Sequence, residues 1–421
     1  MLSASVILPW LYLAVPVAAG VSAGVRARRS GSPRAVREFL VTCITGALLG
    51  AGVGIWYSFL LHQRVGAWQV LVACYWAIVV MVLLKELNRL LAWGIEWAVP
   101  VGENGVACCP GADVFGKVLR AGVLLGVGVP FVAGMALTYR PRVVHPGTPS
   151  SLLGAAYEDV SFSAMDGMPL RGWWIPAGRS ERTDDRHPGP PWGEQTVILC
   201  HGFGADKAAY LRVARDLVPN GYNVLAFDFR GHGESGGQFT TFGDLERRDV
   251  LGAVRWVRAN HAAQARKIFG LGESMGAAAL ISAAADGGPE GQAIDAVAVF
   301  APFDRLTDLF QGMADDHFAP SAGWLARHVA LPAAGWELGA DLVDFAPGRD
   351  VQSLWPRPLL VISAGENDSP VSGRTLDLFD DALQPKYLLQ IDKGGREAVM
   401  FGSKRASTAV RVFFGGARQI L

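Results

Sequence analysis

The chain has 421 residues, a length that favours two or three structural units over a single compact domain. Its 38 basic and 38 acidic residues give a formal net charge of +0, so no global field recruits nucleic acid and we expect no nucleic-acid partner. Hydrophobic residues make up 51% and charged residues 18%, mean hydropathy is +0.26, and the apolar surplus lies before about Thr138.

Four uncharged, apolar runs occupy the first part of the chain, residues 1–140. They lie near residues 4–25, 39–61, 68–84 and 121–138. A bilayer crossing takes about 20 apolar residues, so each run is close to the required length. The first run is followed by an arginine cluster, Arg26 to Arg37, whereas a cleaved signal peptide carries its positive charge in front. The sequence therefore predicts a helical transmembrane region, a multi-pass membrane location and a lipid bilayer as partner.

Basic residues between the runs predict the sidedness. With four crossings, Lys85, Arg89, Lys117 and Arg120 share a side with the arginine cluster, and the positive-inside rule makes that side cytoplasmic. The globular half would then lie on the non-cytoplasmic side. A fifth crossing at residues 87–99, which carry Arg89 and Glu96, would reverse this prediction.

The five cysteines predict neither a disulfide framework nor a metal centre. Cys43 and Cys74 lie in apolar runs, Cys200 ends a predicted strand, and the remaining two are the neighbours Cys108 and Cys109. A zinc site needs three or four ligands, and no other His or Cys lies near this pair in the sequence. We therefore expect no metal.

After a linker rich in Pro, Gly and Ser, residues 141–156, short apolar runs alternate with helical patterns through residues 157–421. A hairpin is predicted at 157–164 and 170–175, further strands at 197–200, 223–227, 267–271, 296–300, 359–363 and 387–391, and helices at 207–218, 244–259, 275–284 and 374–383. Nearly continuous apolar strands alternating with helices predict an α/β fold with a mostly parallel sheet covered on both faces.

An insertion near residues 304–354 interrupts this alternation and contains several aromatic residues. It is either a lid over a pocket or extra packing on the sheet. Because it emerges where the strands end, which is where ligand sites of open α/β sheets lie, we favour the lid.

The sequence Gly272-Glu273-Ser274-Met275-Gly276 stands between a predicted strand and a helix rich in small residues. This is the G-x-S-x-G pattern in the strand-turn-helix setting that it requires, where the glycines permit a tight turn that lifts the serine hydroxyl above the sheet. The pattern predicts Ser274 as a nucleophile.

Three further motifs follow predicted strands: His201-Gly202-Phe203-Gly204, the run from Asp228 to Ser235, and Gly365-Glu366-Asn367-Asp368-Ser369-Pro370-Val371. In this order the four motifs resemble the α/β-hydrolase superfamily, specifically the membrane-anchored branch related to the Bem46-like proteins and to the serine aminopeptidase and monoglyceride lipase-like enzymes. The resemblance covers residues 157–400.

The resemblance implies an α/β-hydrolase fold, no organic cofactor, and an oxyanion hole made by the backbone N–H groups of Phe203 and Met275. It implies Asp368 as the acid of a catalytic triad, for which an Asp-Ser-Pro turn is the competing interpretation. His201 is expected to brace its loop and not to act as the base.

The pattern breaks at the catalytic histidine, which the fold places after the last strand. Arg396 occupies that position, and no histidine follows His328. Arginine does not release a proton near neutral pH. Loss of a triad member commonly costs about four to six orders of magnitude in kcat.

Three explanations stay open. His317 or His328 reaches Ser274 from the insertion; Ser274 and Arg396 bind an anionic or ester ligand at an altered site; or the domain is a catalytically impaired pseudo-hydrolase that acts as a membrane-anchored binding or scaffold module. The leading hypothesis is a membrane-bound serine hydrolase of esterase, lipase or acylhydrolase type with a small ester or acyl substrate.

Overall fold

The computed structural model describes residues 129–139, 142–178, 193–317, 320–364, 372–391 and 403–416, together with Val41, Ile44, Val118 and Gly122. The chain divides into two compact units, Met1–Val132 and Ala133–Leu421. Nearly all of the first unit lies outside the described residues, including Cys108, Cys109, the first and third predicted spans, and the second span apart from Val41 and Ile44.

The predicted multi-pass membrane location is contradicted. Over the part of the chain that the structure describes, no helix has both the length and the apolar character needed to traverse a bilayer. At the fourth predicted span, 121–138, helix α1 covers the ten residues Val129–Thr138. The predicted sidedness of the globular half falls with the location.

Eight strands form one sheet in the second unit. They are β1 Glu158–Ser163, β2 Pro169–Ile175, β3 Gln195–Cys200, β4 Tyr222–Phe227, β5 Lys267–Glu273, β6 Ile294–Phe300, β7 Leu359–Ser363 and β8 Lys386–Gln390, in the order β1-β2-β4-β3-β5-β6-β7-β8. The pairs β1–β2 and β2–β4 are antiparallel, and every other pair is parallel. The predicted hairpin and the six further strands are confirmed to within a few residues.

The described helices lie between and around these strands. They are α1, α2 Pro149–Leu153, α3 Leu211–Ala214, α4 Glu246–Asn260, α5 Met275–Ala284, α6 Leu306–His317, α7 Pro320–Leu325, α8 Leu331–Leu338, α9 Pro347–Asp350, α10 Ser372–Asp381 and α11 Lys404–Gly415. Helix α2 lies inside the predicted linker, and α3 is much shorter than the helix predicted at 207–218. Helix α11, which the sequence did not predict, begins after Ser403, whose hydroxyl accepts a hydrogen bond from the Ala406 N–H.

The core has two layers because alternate side chains of each strand point to opposite faces of the sheet. In β4, Leu225 and Phe227 pack with residues of α4 and α5, whereas Val224 and Ala226 pack on the other face with residues of α3 and α11. Parallel strands buried on both faces read as continuous apolar runs, which is why these strands were predictable.

The insertion packs over the carboxyl end of the sheet. Phe303, Leu306 and Phe345 from the insertion region form a buried cluster with Phe242 and with Ala278 of α5. Ala278 lies one helical turn after Ser274, so the insertion covers the sheet beside the predicted nucleophile. A π-helical turn, Ala326–Ala330, joins α7 to α8.

Glu337 of α8 is half-buried against α1. A side chain built on Gly134 would begin 3.0 Å from Glu337 Oε1, and this oxygen has no hydrogen-bond partner among the described residues. Burial raises the pKa of Glu337 from its usual 4.5 to about 7. The folded protein therefore holds this carboxyl protonated at a pH where the unfolded chain would ionise it.

This pKa predicts a pH-dependent effect of Glu337→Gln on stability. The penalty that the carboxyl imposes on folding is small at pH 4.5, grows as pH rises toward 7, and is constant above the folded pKa. We expect the substitution to raise Tm by about 2–4 °C at pH 8 and by less than about 1 °C at pH 4.5. Thermal unfolding at the two pH values measures this, with Asp216→Asn, an exposed carboxylate change, as control. An equal shift at both values would contradict the prediction.

Candidate active site

Ser274 lies at a sharp turn between β5 and α5. Its backbone has φ 50° and ψ −110°, a region that L-residues rarely occupy. The Ser274 N–H donates to the Phe300 carbonyl of the neighbouring strand at 3.0 Å, and the Ser274 carbonyl accepts from the Ala278 N–H at 2.9 Å. These two hydrogen bonds fix the turn, and the half-buried Ser274 therefore lies at the carboxyl edge of the sheet.

Two glycines make this turn possible. A Cβ on Gly272 would lie 2.7 Å from the Gly276 carbonyl oxygen. A Cβ on Gly276 would lie 2.2 Å from the Cys200 carbonyl oxygen and 2.5 Å from that of His201. No side chain fits at either distance, so the first and last positions of the motif must be glycine.

The loop after β3 lies beside this turn because β3 and β5 are adjacent and parallel, with Cys200 paired to Gly272. Phe203 follows in that loop, and Met275 is the first residue of α5. N–H groups of the first helical turn have no partner within the helix. The fold thus brings the two residues predicted to form an oxyanion hole to one edge of the sheet.

His201 is fully buried, and both of its ring nitrogens are engaged. Nδ1 lies 2.9 Å from the Gly202 carbonyl oxygen, and Nε2 accepts a hydrogen bond from the Phe229 N–H at 3.1 Å. This arrangement requires the neutral tautomer with the proton on Nδ1. Burial lowers the pKa of His201, in agreement with a neutral ring. As predicted, this histidine braces the loop and offers no free nitrogen to Ser274.

The loop after β4 is held by two buried cations, each of which pairs with two carboxylates. Lys207 donates to Asp228 at 2.7 Å and to Glu234 at 2.6 Å. Arg230 donates to Asp249 of α4 and to Asp166 of the β1–β2 turn. Burial raises the pKa of Asp249, and the adjacent guanidinium opposes that shift. Removing one partner would leave an uncompensated buried charge, so these pairs hold the loop in place.

Sequence analysis missed Glu246, a fully buried residue at the start of α4. Its carboxylate accepts from the N–H of Thr241 and of Gly243, both at 2.8 Å, and from the Thr240 and Thr241 hydroxyls. These bonds hold the intervening Phe242 at φ 57°. Thr240 and Thr241 precede Glu246 by six and five positions, not by the three of a capping box, so no standard local motif marks this site.

The ring of Phe242 contacts the loop after β3, here called the oxyanion loop because it carries Phe203, and also contacts the insertion. Its centroid lies 4.8 Å from that of Phe203 and 4.9 Å from that of Phe310 on α6. Phe203 and Phe310 are both partly buried and pack on the insertion cluster. An apolar wall therefore stands beside the predicted oxyanion hole.

Of the remaining predicted site residues, the structure describes the side chain of His328 alone. Asp368 and Arg396 lie outside the described residues. At His317, the last residue of α6, only the backbone is described. His328 is exposed and its ring lies 5.2 Å from that of Trp324. Within the described part of the chain, no side chain forms a hydrogen bond with the Ser274 hydroxyl, and no three His, Cys, Asp or Glu side chains are placed to hold a metal ion.

The chain is similar to known proteins over its second unit. Residues 193–347 match the family model of serine aminopeptidase, S33. The uncharacterized protein YfhR of Salmonella typhimurium is 27% identical over 275 residues, which are 61% of this chain and 88% of that protein. The uncharacterized protein YqkD of Bacillus subtilis is 28% identical over 252 residues, 58% of this chain and 78% of its own.

Among solved structures, the Pyrococcus furiosus esterase Pf2001 superposes in two crystal forms. In one the TM-score is 0.51 at 25% identity, covering 66% of this chain and 96% of the esterase. In the other the TM-score is 0.50 at 27% identity, covering 66% and 98%. The predicted α/β-hydrolase fold is confirmed, whereas the membrane-anchored branch is not addressed by these similarities.

The crowding around Gly276 predicts a large cost for Gly276→Ala. The new methyl group would overlap the Cys200 carbonyl oxygen, so β3 and α5 would have to move apart. We expect the free energy of unfolding to fall by at least about 1–3 kcal/mol, the usual cost of overpacking. Gly287→Ala is the matched control, because no atom lies within 4 Å of its added carbon, and it should change stability by less than about 0.5 kcal/mol. Urea denaturation compares them, and equal costs would contradict the geometry.

Proposed function

We propose that the chain hydrolyses carboxylic esters with Ser274 as the nucleophile, which its α/β-hydrolase fold and its match to the serine aminopeptidase, S33, model support. In this proposal the N–H groups of Phe203 and Met275 form the oxyanion hole, and Asp368 is the acid of the triad. The observation that carries the proposal is the strained backbone of Ser274 at the carboxyl edge of the sheet. Strain of this kind persists where the surroundings enforce it, and it clusters at active sites.

The proposed reaction has two steps. The Ser274 Oγ attacks the ester carbonyl carbon, the carbonyl oxygen becomes an oxyanion facing the two N–H groups, and the alcohol leaves with a proton. Water then attacks the acyl-serine ester, releases the carboxylic acid and restores the serine. Removing one oxyanion donor typically costs about 100- to 1000-fold in rate, so the placement of these N–H groups governs the activity.

The reaction needs a group that accepts the serine proton. His201 is unsuitable because both of its nitrogens are engaged. Arg396 is unsuitable because its guanidinium stays protonated. The proposal therefore assigns the base to an imidazole of the insertion, His317 or His328. A base contributed from outside the usual loop is compatible with catalysis, since a triad is defined by geometry and not by chain order.

The apolar wall supports an ester with a hydrophobic acyl group as substrate. The ring of Phe242 lies 4.8 Å from that of Phe203 and 4.9 Å from that of Phe310, beside the proposed oxyanion hole. Burying an acyl chain against such rings stabilises the complex by about 25 cal/mol per Å² of apolar surface. The similar Pyrococcus furiosus protein Pf2001 is an esterase, which supports the same class of reaction.

A second function is a catalytically impaired domain that binds an ester or anionic ligand. Two observations favour it: Arg396 stands where the superfamily places its histidine, and no described imidazole forms a hydrogen bond with Ser274. In that case the oxyanion donors would bind a ligand oxygen without turnover. The binding function needs the same fold and the same serine turn. Only the reactivity of the Ser274 hydroxyl therefore distinguishes it from the hydrolase function.

Labelling by a fluorophosphonate probe tests the nucleophile. The probe forms a covalent bond with an activated serine, so we expect the purified wild-type protein to be labelled and Ser274→Ala to lose at least about 99% of the label, as removal of the nucleophile requires. Ser407→Ala, which changes a serine on α11, should be labelled like wild type. Unlabelled, folded wild-type protein would sink the enzyme proposal and leave the binding function.

Substitutions of the candidate bases test the proton acceptor. We expect either His317→Ala or His328→Ala to lower kcat for a p-nitrophenyl ester by about 1000- to 10,000-fold, the usual cost of losing a triad member. Arg396→His serves as the comparison. If both alanine variants keep wild-type activity while Arg396→His raises the labelling rate at least about 100-fold, the base is absent from the natural chain.

A further inference from the structure

Residues 133–139 and 142–145, here called the lead-in segment, connect the first unit of the chain to the hydrolase domain. The segment lies outside residues 193–347, which carry the family match. It contacts in turn the insertion, the loop after β4 and the loop after β3. The insertion packs on Ala278, the loop after β4 contacts Met275 through Thr240, and the loop after β3 lies beside the turn that carries Ser274.

The first contact is with the insertion. A side chain on Gly134 would begin 2.8 Å from the Ala334 nitrogen, so α1 and α8 touch backbone to backbone at this point. One turn later, Leu137 packs on the insertion cluster that includes Phe203 and Phe242. The segment therefore approaches the oxyanion loop along the apolar wall.

The second contact is with the loop after β4. The Thr138 carbonyl accepts from the Thr240 N–H at 3.0 Å, and Tyr139 forms an antiparallel bridge with Phe239. The hydroxyl of the same Thr240 lies 3.3 Å from the sulfur of Met275. Through Thr240, the segment thus reaches the residue that supplies one proposed oxyanion donor.

The third contact is with the loop that carries the other donor. The His145 N–H donates to Asp206 Oδ2 at 2.6 Å, and His145 Nδ1 lies 3.2 Å from Oδ1. Asp206 is only 2% exposed, and its Oδ1 also accepts from the Ala209 N–H at 2.9 Å. Phe203 lies three residues before Asp206, so this carboxylate fixes the end of the oxyanion loop to the lead-in segment.

We propose that His145 and Asp206 are positioning residues for the oxyanion hole, and that the lead-in segment sets the spacing between the N–H groups of Phe203 and Met275. The segment contacts the loop after β3 at Asp206 and the loop after β4 at Thr240, whose hydroxyl contacts Met275. An oxyanion is stabilised only when its donors lie about 2.7–3.1 Å from the position that it will occupy. A small displacement of the Phe203 loop therefore lowers the rate of acyl transfer while affecting ester binding little. This inference rests on the proposed function.

Steady-state hydrolysis of p-nitrophenyl acetate and butyrate by the full chain tests it. We expect Asp206→Ala to lower kcat by about 10- to 100-fold with KM changed less than about twofold, below the cost of removing a donor outright. Asp206→Asn, which keeps one acceptor oxygen, should recover part of that loss. His145→Ala keeps its N–H bond and loses only the side-chain contact, so we expect a drop of about threefold.

The contact between His145 and Asp206 also predicts that the effects of substituting these two residues on kcat are coupled. If His145 acts through Asp206, adding His145→Ala to Asp206→Ala should change kcat by less than about 1.5-fold, because the partner is already gone. His261→Ala is the matched control: this half-buried histidine stacks on Trp174 at 3.9 Å, away from the lead-in segment, and its loss should leave kcat unchanged.

Amide hydrogen exchange over residues 202–206 gives a readout that needs no turnover. In His145→Ala and Asp206→Ala we expect faster exchange of these amides and unchanged exchange in β7. Unchanged exchange and unchanged kcat in both variants would overturn the proposal. If the wild-type protein neither turns over ester nor reacts with fluorophosphonate, the proposed function fails, and altered exchange alone would still establish the positioning contact.

Discussion

The close approach of α5 to the end of β3 is the constraint on which the site depends. At Gly276 the backbone of the helix lies so near the carbonyl oxygens of Cys200 and His201 that no Cβ fits between them. The distance between Gly276 and these two carbonyl oxygens fixes the position of the loop after β3 relative to Ser274. It also places the first N–H groups of α5 beside that loop, where a developing negative charge is stabilised by fixed dipoles.

Buried carboxylates hold the surrounding loops. Asp228 accepts the Lys207 N–H, Asp249 accepts the Arg230 N–H, and Glu246 accepts two N–H groups of the segment that carries Phe242. Each of these acids is removed from solvent, so each is costly to bury without its partners. Because the partners are backbone groups of the loops themselves, the same bonds that satisfy the charges fix the loop conformations, and the site is organised before any ligand arrives.

Two elements outside the central sheet complete this edge of the molecule. The insertion supplies Phe310 to the apolar wall, and the lead-in segment contacts the insertion, the loop after β4 and Asp206. In our proposal, the sheet and the serine turn account for the reaction class, and the elements around them account for a preference for an apolar acyl group and for the spacing of the oxyanion donors.

The sequence by itself determined the strands, the helices α4, α5 and α10, and the glycines around Ser274, because apolar runs and tight turns are local patterns. It did not predict α11, it predicted a helix at 207–218 where α3 covers only Leu211–Ala214, and its apolar N-terminal runs led to a membrane location that the described helices contradict. Only the tertiary structure decided that His201 has no free nitrogen, that Glu246 holds Phe242, and that His145 meets Asp206 across 61 positions of sequence. These facts depend on contacts between distant residues, which no local pattern encodes.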